Sequence, residues 1–224
     1  MEKIILILIC LLFLTSCEKE KAIELQDFNF NNKTSAYFSD KDKYKTYDNY
    51  YQIKSEVIGV DTITDGEFIG SEKPIRIEYR QEIFSYEDVL ARFDDFDFNA
   101  INFATTVDGR MMVFNAVAGK ISLEETKKFV ELLDEKYGKS KVSKETFIKP
   151  YDIYTWHLGD RIIKYCIVGD DGSNTLKIEA RQANKNSNSG EKESHVRAFL
   201  YIIKNEYASQ VIGKMNSGDL LYCK

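Results

Sequence analysis

The feature that most constrains this chain is a set of two-residue turn signals that cut its apolar runs into short pieces. Asp65-Gly66 separates 56–63 from a run resuming at Glu67, and Pro74 breaks that run before 75–84. Asp108-Gly109 separates 101–107 from 110–118, and Gly159-Asp160 separates 153–158 from 161–168. Asp171-Gly172 then divides 161–168 from 175–182. Such pairs offer the positive φ of tight hairpin turns, so the pattern predicts an antiparallel meander. Segments 110–118 and 161–168 are apolar on both faces: Met112, Phe114 and Ala116 alternate with Met111, Val113 and Val117. Strands of that kind sit centrally, covered on each side.

One stretch carries a helical period instead. Ser122 and Glu125 form a capping box, and Gly138 can end the helix after Tyr137. Leu123, Thr126, Val130, Leu133 and Tyr137 fall on one face, and Glu124 pairs with Lys128 outside. Ser85 with Asp88 predicts a shorter helix through Phe93, and 205–214 another. Segments 195–203 and 219–223 read as strands, and 184–194, rich in Asn, Ser and Lys, as a flexible excursion. The expected fold class is α+β: a mostly antiparallel β meander with one long helix, about 122–137, and one or two short helices.

A chain of 224 residues suits one large domain or two small lobes, and 43% hydrophobic content with 13% aromatic excludes a disordered protein. Its net charge of -5 argues against nucleic acid as a partner, which would call for a basic stripe.

The first residues have the layout of a secretory signal. Lys3 is the positive n-region and 4–13 an apolar run too short to span a bilayer, which needs about 20 such residues. Leu14-Thr15-Ser16-Cys17 then resembles the lipobox of bacterial lipoproteins. The resemblance covers positions 1–17 only. It implies cleavage before Cys17, a diacylglyceryl group on the Cys17 thiol and acylation (such as palmitate) of the new amine. Two or more chains would give stable anchoring in a lipid bilayer. Glu18, rather than Asp, leans towards the outer membrane. The expected organisation is a cleaved signal peptide over 1–16, a lipidated Cys and polar tether over 17–43, and one globular domain over 44–224. Tyr44, Tyr47 and Tyr51 stand at helical spacing, as an amphipathic side or an aromatic face.

Candidate chemistry is sparse. Asp94, Asp95, Asp97 and Asn99 form the densest acidic cluster, and Asp95-x-Asp97-x-Asn99 begins like a calcium loop. Ala100 then replaces the glycine of the turn, and Thr106 the bidentate glutamate. His157, His195, Cys166 and Cys223 could nominally form a zinc tetrad, but lack the short paired spacing of structural sites. Cys166 and Cys223 could pair as a disulfide or pack as two small hydrophobes. The few geometric constraints on a chain-terminal cysteine favour the second. Trp156 beside His157 could make a sugar platform, although on a strand one of the two points inward. No nucleophile elbow or glycine-rich phosphate loop occurs, so no catalytic residue, cofactor or metal is expected. Three classes remain: a non-catalytic envelope lipoprotein that binds a protein partner, as an inhibitor or immunity factor would; a glycan-binding accessory lipoprotein; and a hydrolase without a recognisable motif.

Overall fold

A computed structural model describes residues 22–37, 50–53, 56–66, 73–83, 87–147, 150–169, 195–215 and 217–224. Residues 1–21, with the lipobox, lie outside these. So do Tyr44, Tyr47, the Asp171-Gly172 turn, 175–182 and 184–194.

The core is one antiparallel sheet of nine strands, in the order β2 (Tyr50–Ile53), β3 (Glu56–Thr64), β4 (Pro74–Ile83), β7 (Ala100–Thr105), β8 (Met111–Ile121), β12 (Val196–Lys204), β11 (Arg161–Gly169), β10 (Pro150–His157) and β9 (Lys141–Thr146). A helix, α1 (Leu123–Tyr137), carries the chain from the centre at β8 to the far edge at β9, and three successive antiparallel pairings then bring it back beside β8. The two-faced apolar strands β8 and β11 lie inside the sheet, as their pattern demands. The Asp108-Gly109 turn closes β7–β8, with Gly109 at φ 85°. Gly159-Asp160 closes β10–β11 without a positive φ. Pro74 opens β4 rather than breaking a strand, the position where a missing amide costs least. At the outer edge all six residues of β9 are exposed, and Lys141 and Lys144 discourage pairing with a stray strand.

The expected α+β class is corrected by this count. Among the described residues strand outweighs helix by 52% to 20%, and the fold is mostly β. Helix α1 forms where its capping box places it, but it is only 15 residues, and the one other α-helix among the described residues is a single turn, α2 (Ala208–Val211). The helix expected through Phe93 is instead a hairpin of β5 (Ala91–Phe93) and β6 (Phe96–Phe98). Its alternating phenylalanines pack inward, which a helix could not achieve. The expected last strand is a 3₁₀ helix over Gly218–Tyr222, and Tyr51 lies on β2, not on a helix.

One face of the sheet carries an apolar row across six strands, matched in register as Tyr79, Phe103, Phe114, Ile202, Ile163 and Trp156. Helix α1 covers this face through Thr126, Phe129 and Leu133, with Val130 and Tyr137 partly buried. Leu123, expected in that stripe, is 49% exposed, and Phe129 takes the central place. Phe129 meets Phe93, Phe96, Phe98 and Tyr165 at centroid distances of 5.5, 4.2, 5.8 and 5.0 Å.

The remainder of this face is covered by residues expected to be tether. β1 (Ile23–Glu24) pairs in parallel with β5, and Leu25, Phe28 and Phe30 are buried. Phe28 lies 4.9 Å from Phe114, Arg161 Nη1 donates to the Phe28 carbonyl at 2.8 Å, and its guanidinium lies over the Phe30 ring. Burying each of these apolar side chains contributes about 1.5–3 kcal/mol, enough to hold a segment without regular structure. The folded body therefore begins near Ile23, not at 44.

Candidate functional site

The opposite face is covered by the C-terminal residues, and here the sheet is unusually polar. Asn102, Asn115, Tyr201, Lys164 and Thr155 lie side by side in register across five strands, all buried. A buried polar group without a partner costs about 1–3 kcal/mol, so such a row must be bonded through. Asn102 Nδ2 donates to Asn115 Oδ1 at 2.8 Å, and Asn102 Oδ1 accepts from the Gln81 amide at 2.8 Å. Asn115 Nδ2 donates to the Leu200 carbonyl at 3.3 Å, and Lys164 Nζ to Thr155 Oγ1 at 3.3 Å.

The C-terminal residues complete this network from above. The Tyr201 hydroxyl donates to the Asp219 carbonyl, and Arg197 Nη2 donates to both Asp219 carboxylate oxygens at 3.1 and 3.2 Å. Burial pushes the Asp219 carboxyl up from the ordinary range, while Arg197 and Asn102 pull it back down. Glu78, fully buried on β4, accepts from Arg76 Nε at 2.6 Å and from the Ser217 hydroxyl. Arg76 Nη2 reaches the Lys214 carbonyl at 3.4 Å. Val211, Met215, Leu220 and Cys223 fill the apolar spaces between these bonds.

Where α2 diverges from the ends of β3 and β4, a cleft of about 590 Å³ remains. Ile63, Ile75 and Met112 give it an apolar wall, while Arg76 and Lys214 supply positive charge. Thr64, Ser209 and Gln210 add neutral hydrogen-bonding groups, and Asp65 a carboxylate. The cleft falls within the usual size of a binding site, with a lining more polar than most: six polar or charged residues to three apolar. Nothing in the local spelling hints at it, because its residues come from five separated stretches, each unremarkable on its own.

The candidates read from sequence fall elsewhere. Asp94 turns the β5–β6 hairpin at φ 52° and accepts from Gln26. Asp97 pairs with Arg92 at 2.6 Å, and Asn99 Oδ1 accepts from the Gly119 amide at 3.0 Å. The calcium-like spelling is thus a hairpin and its bracing. His157 ends β10 opposite Ile162, which faces Ile203, whereas His195 precedes Val196 at the other end of β12. Seven residues of strand separate those levels, roughly 23 Å, so the two histidines cannot share an ion. Among the described residues no three His, Cys, Asp or Glu side chains group closely enough to hold a metal. Cys166 and Cys223 are free, buried thiols, with Cys166 Sγ 3.4 Å from the Tyr222 carbonyl. Trp156 is buried, and its Nε1 donates to Asp134 Oδ1 at 3.1 Å and to the Gly138 carbonyl at 3.0 Å. It offers no platform to a sugar. Among the described residues no helix is long and apolar enough to cross a membrane.

Comparison with protein-family models, curated proteins and solved structures returns no match for this chain.

Proposed function

We propose that this chain is an envelope lipoprotein, held in the outer membrane by acyl groups on Cys17, whose body is a non-catalytic module that binds another envelope protein through the cleft. The lipobox-like spelling ending at Cys17 supports the anchor. The observation that carries the binding reading is the cleft itself, which sets an apolar wall beside Arg76 and Lys214. Its groups are suited to holding a ligand: two cations, one carboxylate, three neutral polar side chains and three apolar ones. The buried network beneath fixes one wall to the other, so the cleft is preformed and binding orders little. The glycan reading, which the high Tyr and Phe count favours, is left without Trp156 as a stacking surface, because that ring is buried.

Two measurements test the proposal. Cys17→Ser should move the protein out of the membrane fraction, and mass spectrometry finding an unmodified Cys17 on the wild-type mature chain would remove the anchor. A photo-crosslinking side chain placed at Gln210, on the cleft, should capture an envelope protein, whereas one at exposed Glu135 on α1 should not. Equal capture at both positions, or none at Gln210, refutes the binding reading.

A further inference from the structure

We infer that the cleft takes the free C-terminus of a polypeptide, a carboxylate beside an aliphatic side chain. This rests on the cleft being the binding surface proposed above. The charge of the lining is the first argument. Arg76 is answered by Glu78, whereas Lys214 has no carboxylate partner among the described residues, so a single negative charge beside Lys214 is the one the cleft leaves room for. Glu78, directly behind Arg76, is satisfied by Arg76 and Ser217, and it disfavours a dianion at the same place.

The state of the two cations is the second argument. Arg76 is 6% exposed, and its Nε and Nη2 are committed to Glu78 and the Lys214 carbonyl. Those bonds hold the guanidinium plane still and leave Nη1 for a ligand oxygen. Lys214 is exposed and has no carboxylate within ion-pair distance among the described residues. A carboxylate between them would gain two charge-assisted hydrogen bonds from donors already in position.

The wall decides the rest of the ligand. Ile75 is 43% exposed, and with Ile63 beside it and Met112 at the base it would be covered by an aliphatic side chain next to the carboxylate. Thr64, Ser209 and Gln210 favour a peptide over a simple fatty acid. They can pair with the amides of the last residues, whereas a hydrocarbon tail would strip them of water without replacement. Capture of a chain-terminal carboxylate is a recurring mode of peptide recognition.

The test uses the full chain carrying Cys17→Ser, with the amide resonances of Ile75, Met112 and Gln210 followed by NMR. Three probes are titrated: acetyl-Ala-Ala-Leu with a free carboxylate, the same peptide amidated, and octanoate. The free acid should shift these amides saturably and amidation should weaken binding at least tenfold. Lys214→Ala, at an exposed position, should weaken the free acid about fivefold and leave the amidated peptide unchanged. The double variant Arg76→Gln/Glu78→Gln, which leaves no lone buried charge, should abolish the preference for the acid. Equal binding of acid and amide overturns the carboxylate assignment while leaving the cleft a binding surface. Binding of octanoate without the peptide overturns the peptide assignment. If no probe moves the three amides, this inference falls; the crosslink from Gln210 then decides separately whether the cleft binds a protein.

Discussion

Replacing Phe129 by alanine tests whether one ring joins the helix, the β5–β6 hairpin and the main sheet. Phe129 sits on α1, is 2% exposed and touches four aromatic rings, three from the hairpin and Tyr165 from β11. Truncating a buried phenylalanine costs roughly 3–5 kcal/mol through lost transfer energy and the cavity left behind. The aromatic contacts push the value towards the upper part of that range. We expect about 4 kcal/mol, roughly a quarter to four-fifths of a stability that for a domain is about 5–15 kcal/mol. At roughly 2–4 °C per kcal/mol for a chain of this size, Tm should fall by about 8–16 °C. Phe129→Leu keeps most of the volume and should cost less than about 1.5 kcal/mol. Urea unfolding gives both values, with a shift in midpoint and an unchanged m. An alanine variant within about 3 °C of wild type, or a leucine variant as damaged as the alanine one, would refute the reasoning.

Other predictions follow the same logic. Ser122→Ala should cost about 1 kcal/mol at pH 7, since the Glu125 amide loses its acceptor at 3.2 Å. The Ser122 amide, then its hydroxyl, hold the Glu125 carboxyl below its ordinary range. The stability Glu125 adds is therefore complete above that range and fades as pH falls through the lowered folded value. The penalty of Glu125→Ala should shrink below about pH 4, and a pH-independent penalty would contradict this. Burial pushes the Cys223 thiol up to about 12 and the Cys166 thiol well up too, with Lys164 pulling both the other way. At pH 8 roughly one Cys223 in 10⁴ is thiolate, so a thiol reagent should find almost none in the native protein and both after denaturation. A rapid native reaction, or none after denaturation without reductant, would overturn the two free thiols. Trp156, the single tryptophan, should emit as a buried indole and resist quenching by acrylamide. Trp156→Phe should cost about 1–2 kcal/mol by leaving the Gly138 carbonyl without its donor.

What could be read in advance was what is encoded over a few neighbouring residues. The Asp108-Gly109 hairpin and the Ser122–Glu125 box each need no more than four residues to declare themselves, and both stand where expected. The two-sided apolar spelling of β8 and β11 likewise marks the sheet interior. Other parts depended on distant partners. Leu25, Phe28 and Phe30 lie in a polar stretch with no period, and partners far along the chain, such as Arg92, Phe114 and Arg161, make them core. Phe93, Phe96 and Phe98 could not be placed without Phe129, so their acidic neighbours drew attention instead. Asp219 to Cys223 is a short apolar run after one acid, a spelling a buried strand shares, but the buried surface it meets offers side-chain partners such as Arg197 and Tyr201. The cleft was invisible for the same reason: Arg76 and Lys214 are 138 positions apart.

The position of β1 has a mechanical consequence. Only six positions separate Cys17 from Ile23, a reach of about 20 Å even when fully drawn out. A globule of some 200 residues has a radius of about that size. A chain lipidated at Cys17 would ride against the bilayer like a moored hull, unable to roll over. The helix-covered side, where β1 is fastened, would face the lipid, and the side bearing Arg76 and Lys214 would face away from it. Any partner would then have to come from the aqueous side and arrive within one body's height of the membrane.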